Sequence, residues 1–503
     1  MTHDIDETFR ALPLTRVAEA ALSRAQELGV EHADVRVERI RTGAFTLRDA
    51  RMQSSHGDDE RGLAVRVVHD GTWGFAASAD LSAETAVKLV EQAVEIARAS
   101  RPVNTEPIEL VPEPSYGEVT WVSAYEIDPF SVHENERIAL LEGWSRQLLA
   151  AKEVSHADAT LRQVKENKFY ADLAGTMTTQ QRVRVQCEVT ATWVDEHSGR
   201  FETMRTLAPP VGRGWEHLSG ANSWDWNGEL AQLPSLLGEK AAAPSVQSGR
   251  YDLVIDPSNL WLTIHESIGH ATELDRALGY EANYAGTSFA TPDKLNSLAY
   301  GSPVMHVTGD RQAEHGLATV GWDDEGVAAQ TWDLVKDGQF VGYQLDRHIA
   351  ARTGAGRSNG CAFADSPFHV PIQRMANVSL QPKENGPSLD DLIGGIDNGI
   401  YIVGDKSWSI DMQRYNFQFT GQRFYRIRSG RLDGMLRDVA YQATTTDFWG
   451  AMEAVGGPST YVLGGAFNCG KGQPGQTAPV SHGCPVALFR GIRILNTVEE
   501  AGK

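Results

Sequence analysis

The chain has 503 residues, 41% apolar and 22% charged, with a formal net charge of −20. That length predicts two domains of ordinary soluble composition, and the acidic surface argues against nucleic acid or anionic membranes as partners. Four cysteines exclude a disulfide scaffold, and with neither a basic-then-apolar leader nor an apolar run long enough to span a bilayer the expected location is cytoplasmic.

Helical apolar spacing runs over residues 14–28 and stops at Gly29. Residues 33–47 alternate as a strand does, and 62–68 with 71–77 read as a hairpin turned at Asp70-Gly71. Ser82 is placed to cap a helix reaching about residue 99, with Glu84 in its first turn. Residues 101–117 read as a linker. A further helix is predicted over 134–152, and strands over 158–170 and 177–194. The pattern dissolves over 208–249, which holds Pro209-Pro210 and only a short helical piece. The sequence thus predicts an α+β protein. Its N-terminal α/β domain covers 1–244; a β-rich, largely antiparallel C-terminal domain covers 245–503 and carries one main helix.

That helix holds the chemistry. After a short apolar strand at 251–255, Asp256 stands where an N-cap belongs and Pro257 at the first helical position. Helical spacing continues through Trp261, Ile264, Ile268, Ala271, Leu274 and Leu278, up to Gly279. It carries His265-Glu266-Ser267-Ile268-Gly269-His270. Two imidazoles on one metal, with a carboxylate beside them to take a proton from water, are what a zinc peptidase needs. The usual spacing on a helix is four. A spacing of five separates the side chains by about 140° on a regular helix. Sharing a metal therefore requires an extra residue in the turn, as a π segment supplies, and Gly269 would tolerate the distortion. On these residues alone two readings stand: a metal pair with Glu266 as base, or two unrelated surface histidines. Glu273 and Asp275 are either carboxylates that orient an imidazole or a solvated acidic face, the second reading favoured for Asp275.

A catalytic site needs a third protein ligand. Cys469, in Phe467-Asn468-Cys469-Gly470-Lys471-Gly472, is expected to be exposed in a Gly-rich turn, with Lys471 favouring its thiolate; the alternative is a small buried hydrophobe. His482 and Cys484 offer a rival pair.

These motifs resemble the TldD/PmbA family of metallopeptidases. The His265-Glu266-x-x-x-His270 spacing is similar to that family's metal motif. Gly321-Trp322-Asp323-Asp324-Glu325-Gly326 resembles its acidic turn, Pro371-Ile372-Gln373-Arg374-Met375-Ala376-Asn377 its Pro-Ile-x-Arg-Met-x-Asn segment, and Cys469-Gly470-Lys471 its Cys-Gly-Lys turn. The resemblance implies one zinc ion on His265, His270 and Cys469, Glu266 as the catalytic base, and hydrolysis of small or unfolded, extended peptides. It also implies a dimer, with an identical or a homologous subunit. The peptide is expected to add a strand to an exposed edge, where Gly464-Gly465 would allow close approach. Glu273, Arg374, Lys471 and His482 are candidates to support ligands or touch substrate. His482 or Arg374 is considered for the oxyanion, although Arg374 is favoured to pair with Asp323 or Asp324. Two alternatives are a hydrolase that tailors a peptide in a biosynthetic pathway, and a non-catalytic subunit whose structural metal takes Cys484 or His482 as a fourth ligand.

Overall fold

The computed structural model describes residues 3–472, 475–500 and 502. The architecture is α+β. Seven strands form the N-terminal sheet, in the order Thr72–Ser78, Arg51–His69, His32–Arg48, His156–Asp172, Met177–Val194, Glu118–Val122, with Phe201–Arg205 also on Met177–Val194. Neighbours are antiparallel except Glu118–Val122, which runs parallel to Met177–Val194.

Alternation decides which face is dry. Val35, Val37, Leu63 and Val65 pack onto the helices Leu14–Glu27 and Ala83–Ser100, meeting Val17, Ala21, Leu89 and Val90. Elsewhere on the same face of the sheet Phe45, Leu47, Leu161 and Val189 meet the helices Glu134–Leu149 and Trp226–Ala242. The turn at Asp70-Gly71 has positive φ at both residues, 48° and 64°, the geometry that matches strand twist in a two-residue hairpin. The arm before it is Arg51–His69 rather than 62–68. Residues 51–60 are largely exposed, so they show no alternation, yet His56 lies opposite Ala44 in the ladder. Trp226–Ala242 is likewise a full 17-residue helix where the sequence shows a short piece. Pro234 inside it removes a backbone donor and masks the buried stripe Leu230, Leu233, Leu237, Ala241.

The opposite face of this sheet is polar and buried. Arg66 lies 2.8 Å from Asp34 and 3.0 Å from Glu325. Lys168 Nζ sits 2.7 Å from Asp324, and Glu166 is held by Arg182 at 2.7 Å and Arg184 at 2.9 Å. Burial alone would raise the Asp34 carboxyl, but Arg66 beside it holds it down to about 2. Asp324 and Glu325 belong to the acidic turn, so these ion pairs tie the N-terminal sheet to the C-terminal half.

There, five strands close into a ring: Gly249–Ile255, Asn398–Ile410, Asn416–Arg428, Val439–Thr444 and Ala487–Asn496. Closure comes from Asn398–Ile410, which pairs with Gly249–Ile255 on one side, in parallel, and with Asn416–Arg428 on the other. Against the ring packs the helix Pro257–Ile264. Leu260, Ile264 and Ile268 join Leu253, Ile402, Phe417 and Phe419 in one apolar cluster. A hairpin of Val462–Lys471 and Gln476–Cys484 lies beside this helix. Among the described residues no helix is long and apolar enough to cross a membrane.

Asp324 also accepts from the Ala364 N–H at 2.7 Å. Asp324→Ala therefore leaves a buried lysine and a buried amide without their carboxylate. We expect a loss of about 3–5 kcal/mol, read by urea unfolding; a loss under about 1 kcal/mol would show that this tie is dispensable.

Candidate metal centre

Asp256 caps the site helix, accepting from Ser258 N at 2.9 Å, and Pro257 opens it. The α-helical stretch ends at Ile264. A π turn spans His265–Gly269, and the His270 N–H reaches back to the His265 carbonyl. One 3₁₀ turn follows, His270–Thr272, and Glu273 is extended at φ −74°, ψ 113°. The single helix predicted to Leu278 is therefore broken at Glu273, and Leu274–Ala277 is a separate short turn of helix. The π turn puts the two imidazole rings 4.6 Å apart.

The irregular backbone is held from outside. Gln344 Nε2 donates to the Gly269 carbonyl at 2.7 Å, while its Oε1 accepts from Ala376 N at 2.8 Å. Tyr300 donates to the Ser267 carbonyl. Gly269 itself has φ −52°, ψ −60°, open to any residue. Its need for glycine is spatial: a Cβ there would lie 2.5 Å from Met375 Sδ and 2.9 Å from its Cε.

Cys469 comes from the hairpin. The expected exposed turn is a strand position: the ladder shifts register between Ala466 and Cys469, and Cys469 is only 4% exposed. That bulge aims its sulfur at the helix, with Sγ 3.6 Å from His270 Nε2. One donor atom each from His265, His270 and Cys469 lies within 4.8 Å of the other two.

Hydrogen bonds set which nitrogen faces the cluster. His270 Nδ1 lies 2.8 Å from Glu273 Oε2. A carboxylate accepts, so Nδ1 carries the proton and Nε2 presents a lone pair. His482 Nδ1 donates to the Val378 carbonyl at 2.9 Å. Its Nε2 must then accept from His265 Nδ1, 2.7 Å away, which frees His265 Nε2. Burial lowers the pKa of both imidazoles. Burial would raise the Cys469 thiol, but His270 beside it brings it below its usual value. Two neutral imidazoles and a thiolate form a donor set that suits zinc.

The remaining candidates find other places than the sequence suggests. Lys471 does not face the thiolate; its Nζ is 3.2 Å from Glu273, 2.7 Å from Asp275 and 2.7 Å from the Gln373 carbonyl. Asp275 is thus a buried partner, not a solvated face. Arg374 pairs with neither Asp323 nor Asp324. It donates to the Cys469 and Gln476 carbonyls, clamping the hairpin, and is too buried to serve an oxyanion. His482, fully buried behind His265, cannot serve one either. Cys484 Sγ turns to the Pro257 carbonyl, away from the cluster. Glu266 Oε2 accepts from Arg414 Nη1 at 2.5 Å. Neither Arg414 nor Gln344 is singled out by the sequence, where each stands alone among unremarkable neighbours.

Beside the cluster opens a cleft of about 460 Å³, walled by Trp224, Trp261, Trp408, Glu188 and the strand from Gly464 to Asn468. It stops one residue short of Cys469. Gly464 admits the Trp261 ring, which a Cβ would meet at 2.9 Å.

Comparison with known proteins agrees with this geometry. The PmbA/TldA metallopeptidase C-terminal domain matches residues 248–496, and domain 1 of the same family matches 33–97. The chain belongs to the PmbA/TldD metallopeptidase family. It is 26% identical over 484 residues to a metalloprotease of Methanothermobacter thermautotrophicus, covering 93% of this chain and 96% of that relative. It is 24% identical over 484 residues to the zinc metalloprotease TldD homolog of Saccharolobus solfataricus, covering 94% and 98%. Its fold matches TldE from Thermococcus kodakarensis with a TM-score of 0.70 at 15% identity, over 95% of this chain and 99% of that one. In this metallopeptidase the family's acidic turn serves the contact between the two halves rather than the metal cluster.

Two outcomes test the construction. Gly269→Ala drives a methyl into Met375 and should cost about 1–3 kcal/mol, with reduced zinc content; Met375→Ala in the same chain should restore most of both. Unchanged melting and zinc in the single variant would refute the spatial role of Gly269. Glu273→Gln replaces the acceptor for His270 and should weaken zinc binding by about 10–100-fold, measured by competition with a chromophoric chelator; unaltered affinity would remove Glu273 from the site's support.

Proposed function

We propose that this chain is a zinc peptidase that hydrolyses small or unfolded peptides bound in extended form, with Glu266 as general base. The observation that carries the reading is the placement of Glu266. Its carboxylate, only 7% exposed, stands directly after one ligand on the turn that brings both imidazoles together. Zinc, when bound, supplies a Lewis acid that makes water more acidic and polarises a carbonyl. Glu266 takes the proton of the attacking water and passes it to the departing amine. Among the described residues three donors converge, while His482 and Cys484 are engaged elsewhere. This supports an open coordination position, as catalysis needs, over a closed structural site.

The cleft supports the extended form of the substrate. Among the described residues Val462–Lys471 pairs along one edge only, with Gln476–Cys484. Its segment Gly464 to Asn468 lines the cleft, so a peptide laid there can pair with backbone and be read little by side chain. Cleavage in turnover or in tailoring of a peptide product would use the same groups. Assembly with an identical or homologous subunit belongs to this reading and rests on the family likeness. Four free, buried thiols fit a reducing cytoplasm.

Glu266→Gln should keep stoichiometric zinc and lose at least about 10²-fold in peptide hydrolysis, measured on a mixture of unfolded peptides with the full assembly present. Full activity in a zinc-loaded variant would defeat the assignment of the base.

A further inference from the structure

We infer that Arg414 is a catalytic residue of this site, the cation that receives the oxyanion of the tetrahedral intermediate. The inference rests on the peptidase reading above and names a residue that neither its motifs nor its ligands include.

Arg414 sits on the turn between Asn398–Ile410 and Asn416–Arg428, with φ +63°, a conformation that side-chain-bearing residues seldom adopt. The turn is locked. Asp411 Oδ1 accepts from Gln413 N at 3.1 Å and Tyr415 N at 2.8 Å. Thr445 donates to the Arg414 carbonyl at 2.8 Å. Thr287 N and Phe289 N bond the carbonyls of Met412 and Gln413 at 2.7 and 2.9 Å. A backbone this constrained delivers its side chain to one place.

That place is the metal centre. Nη1 meets Glu266, and Nη2 donates to the Ala285 carbonyl at 3.2 Å. Nε is buried with no partner among the described residues. The contact with Glu266 sets the guanidinium beside the residue that directly follows His265 on the π turn. The pairing with Glu266 explains when the cation is released. At rest the carboxylate holds the guanidinium. As Glu266 takes the proton from water it becomes neutral, and negative charge appears on the former carbonyl oxygen. Arg414 then has a stronger attraction to the oxyanion than to its old partner. An interaction that strengthens only as the barrier is crossed accelerates the reaction.

The test compares two ligands of the zinc-loaded full chain by calorimetry: trialanine, and its phosphinic analogue, in which PO₂–CH₂ replaces one CO–NH and carries the tetrahedral anionic oxygens. Wild type should prefer the analogue. Arg414→Met should lose about 10²–10³-fold of that preference, with trialanine binding and zinc content unchanged, and kcat should fall by a similar factor with KM little altered. The same loss should appear in a Glu266→Gln background, where an effect passed through the base is absent. If the preference survives Arg414→Met, or is lost only when Glu266 is present, the oxyanion role is wrong. If Arg414→Met sheds zinc or melts early, Arg414→Lys decides, since it keeps a cation without the fork; partial preference supports the role and full preference opposes it. A wild type that binds both ligands equally would overturn the peptidase reading itself.

Discussion

Everything in the site follows from a spacing of five residues between two imidazoles that must share one ion. An α-helix cannot bring them together, so the chain inserts a π turn at His265–Gly269 and must then satisfy backbone groups that a regular helix would have paired within itself. Thr272 serves the Ile268 and Gly269 carbonyls locally, at 2.9 and 3.3 Å, and the other partners are remote. Gln344 and Tyr300 reach in from distant segments to accept this task, and Met375 packs flush on Gly269 where no methyl fits. The metal pair is thus a tertiary product.

The hairpin beside the helix does more than donate Cys469. His482, on its second strand, fixes the proton on His265. Lys471, two residues past Cys469, binds Glu273, which fixes the proton on His270. One element therefore supplies one ligand and aims the other two. Arg374 clamps the same hairpin by two of its carbonyls. Glu273, Asp275, Arg276 and Lys471 are all buried. Burying them costs solvation that a set of apolar side chains would not. The return is geometric: a shift of the hairpin would break the bonds that orient both imidazoles, so the three donors hold their places together.

What was legible in the sequence is what periodicity and local chemistry control. The cap at Asp256, the turn at Asp70-Gly71 and the strand Met177–Val194 depend on neighbours in sequence, and they stand where the pattern puts them. The need for a distorted turn was readable because it is arithmetic on helix geometry. Its cause at Gly269 was not, since backbone freedom is a property of the residue whereas the Met375 contact belongs to the fold. Asp275 and Lys471 were misread for the same reason. A charged residue near a helix end looks solvated until a second buried charge, brought from nearly 200 positions away, neutralises it. Arg414 left no local trace at all. Its importance lies in a turn geometry and in a partner 148 residues distant.

The N-terminal sheet has no ligand in the cluster, and the polar face it buries explains what it contributes. Strand alternation places Arg162 on one long strand and Gln186 and Glu188 on the next, all on the wall of the cleft opposite the Gly464–Asn468 edge. Deeper along those strands the same face carries Glu166, Lys168 and Arg182, which are taken up by ion pairs among themselves and with the acidic turn. One face is thereby divided. Its inner part is saturated by charges and fixes the sheet against the C-terminal half, while its outer part, where Glu188 pairs with Arg205 at 2.6 Å, lines the cleft. Trp261 and Trp408 line the same cleft. The buried charges of the acidic turn thereby fix one wall of the cleft as well as the join between the N-terminal sheet and the C-terminal half.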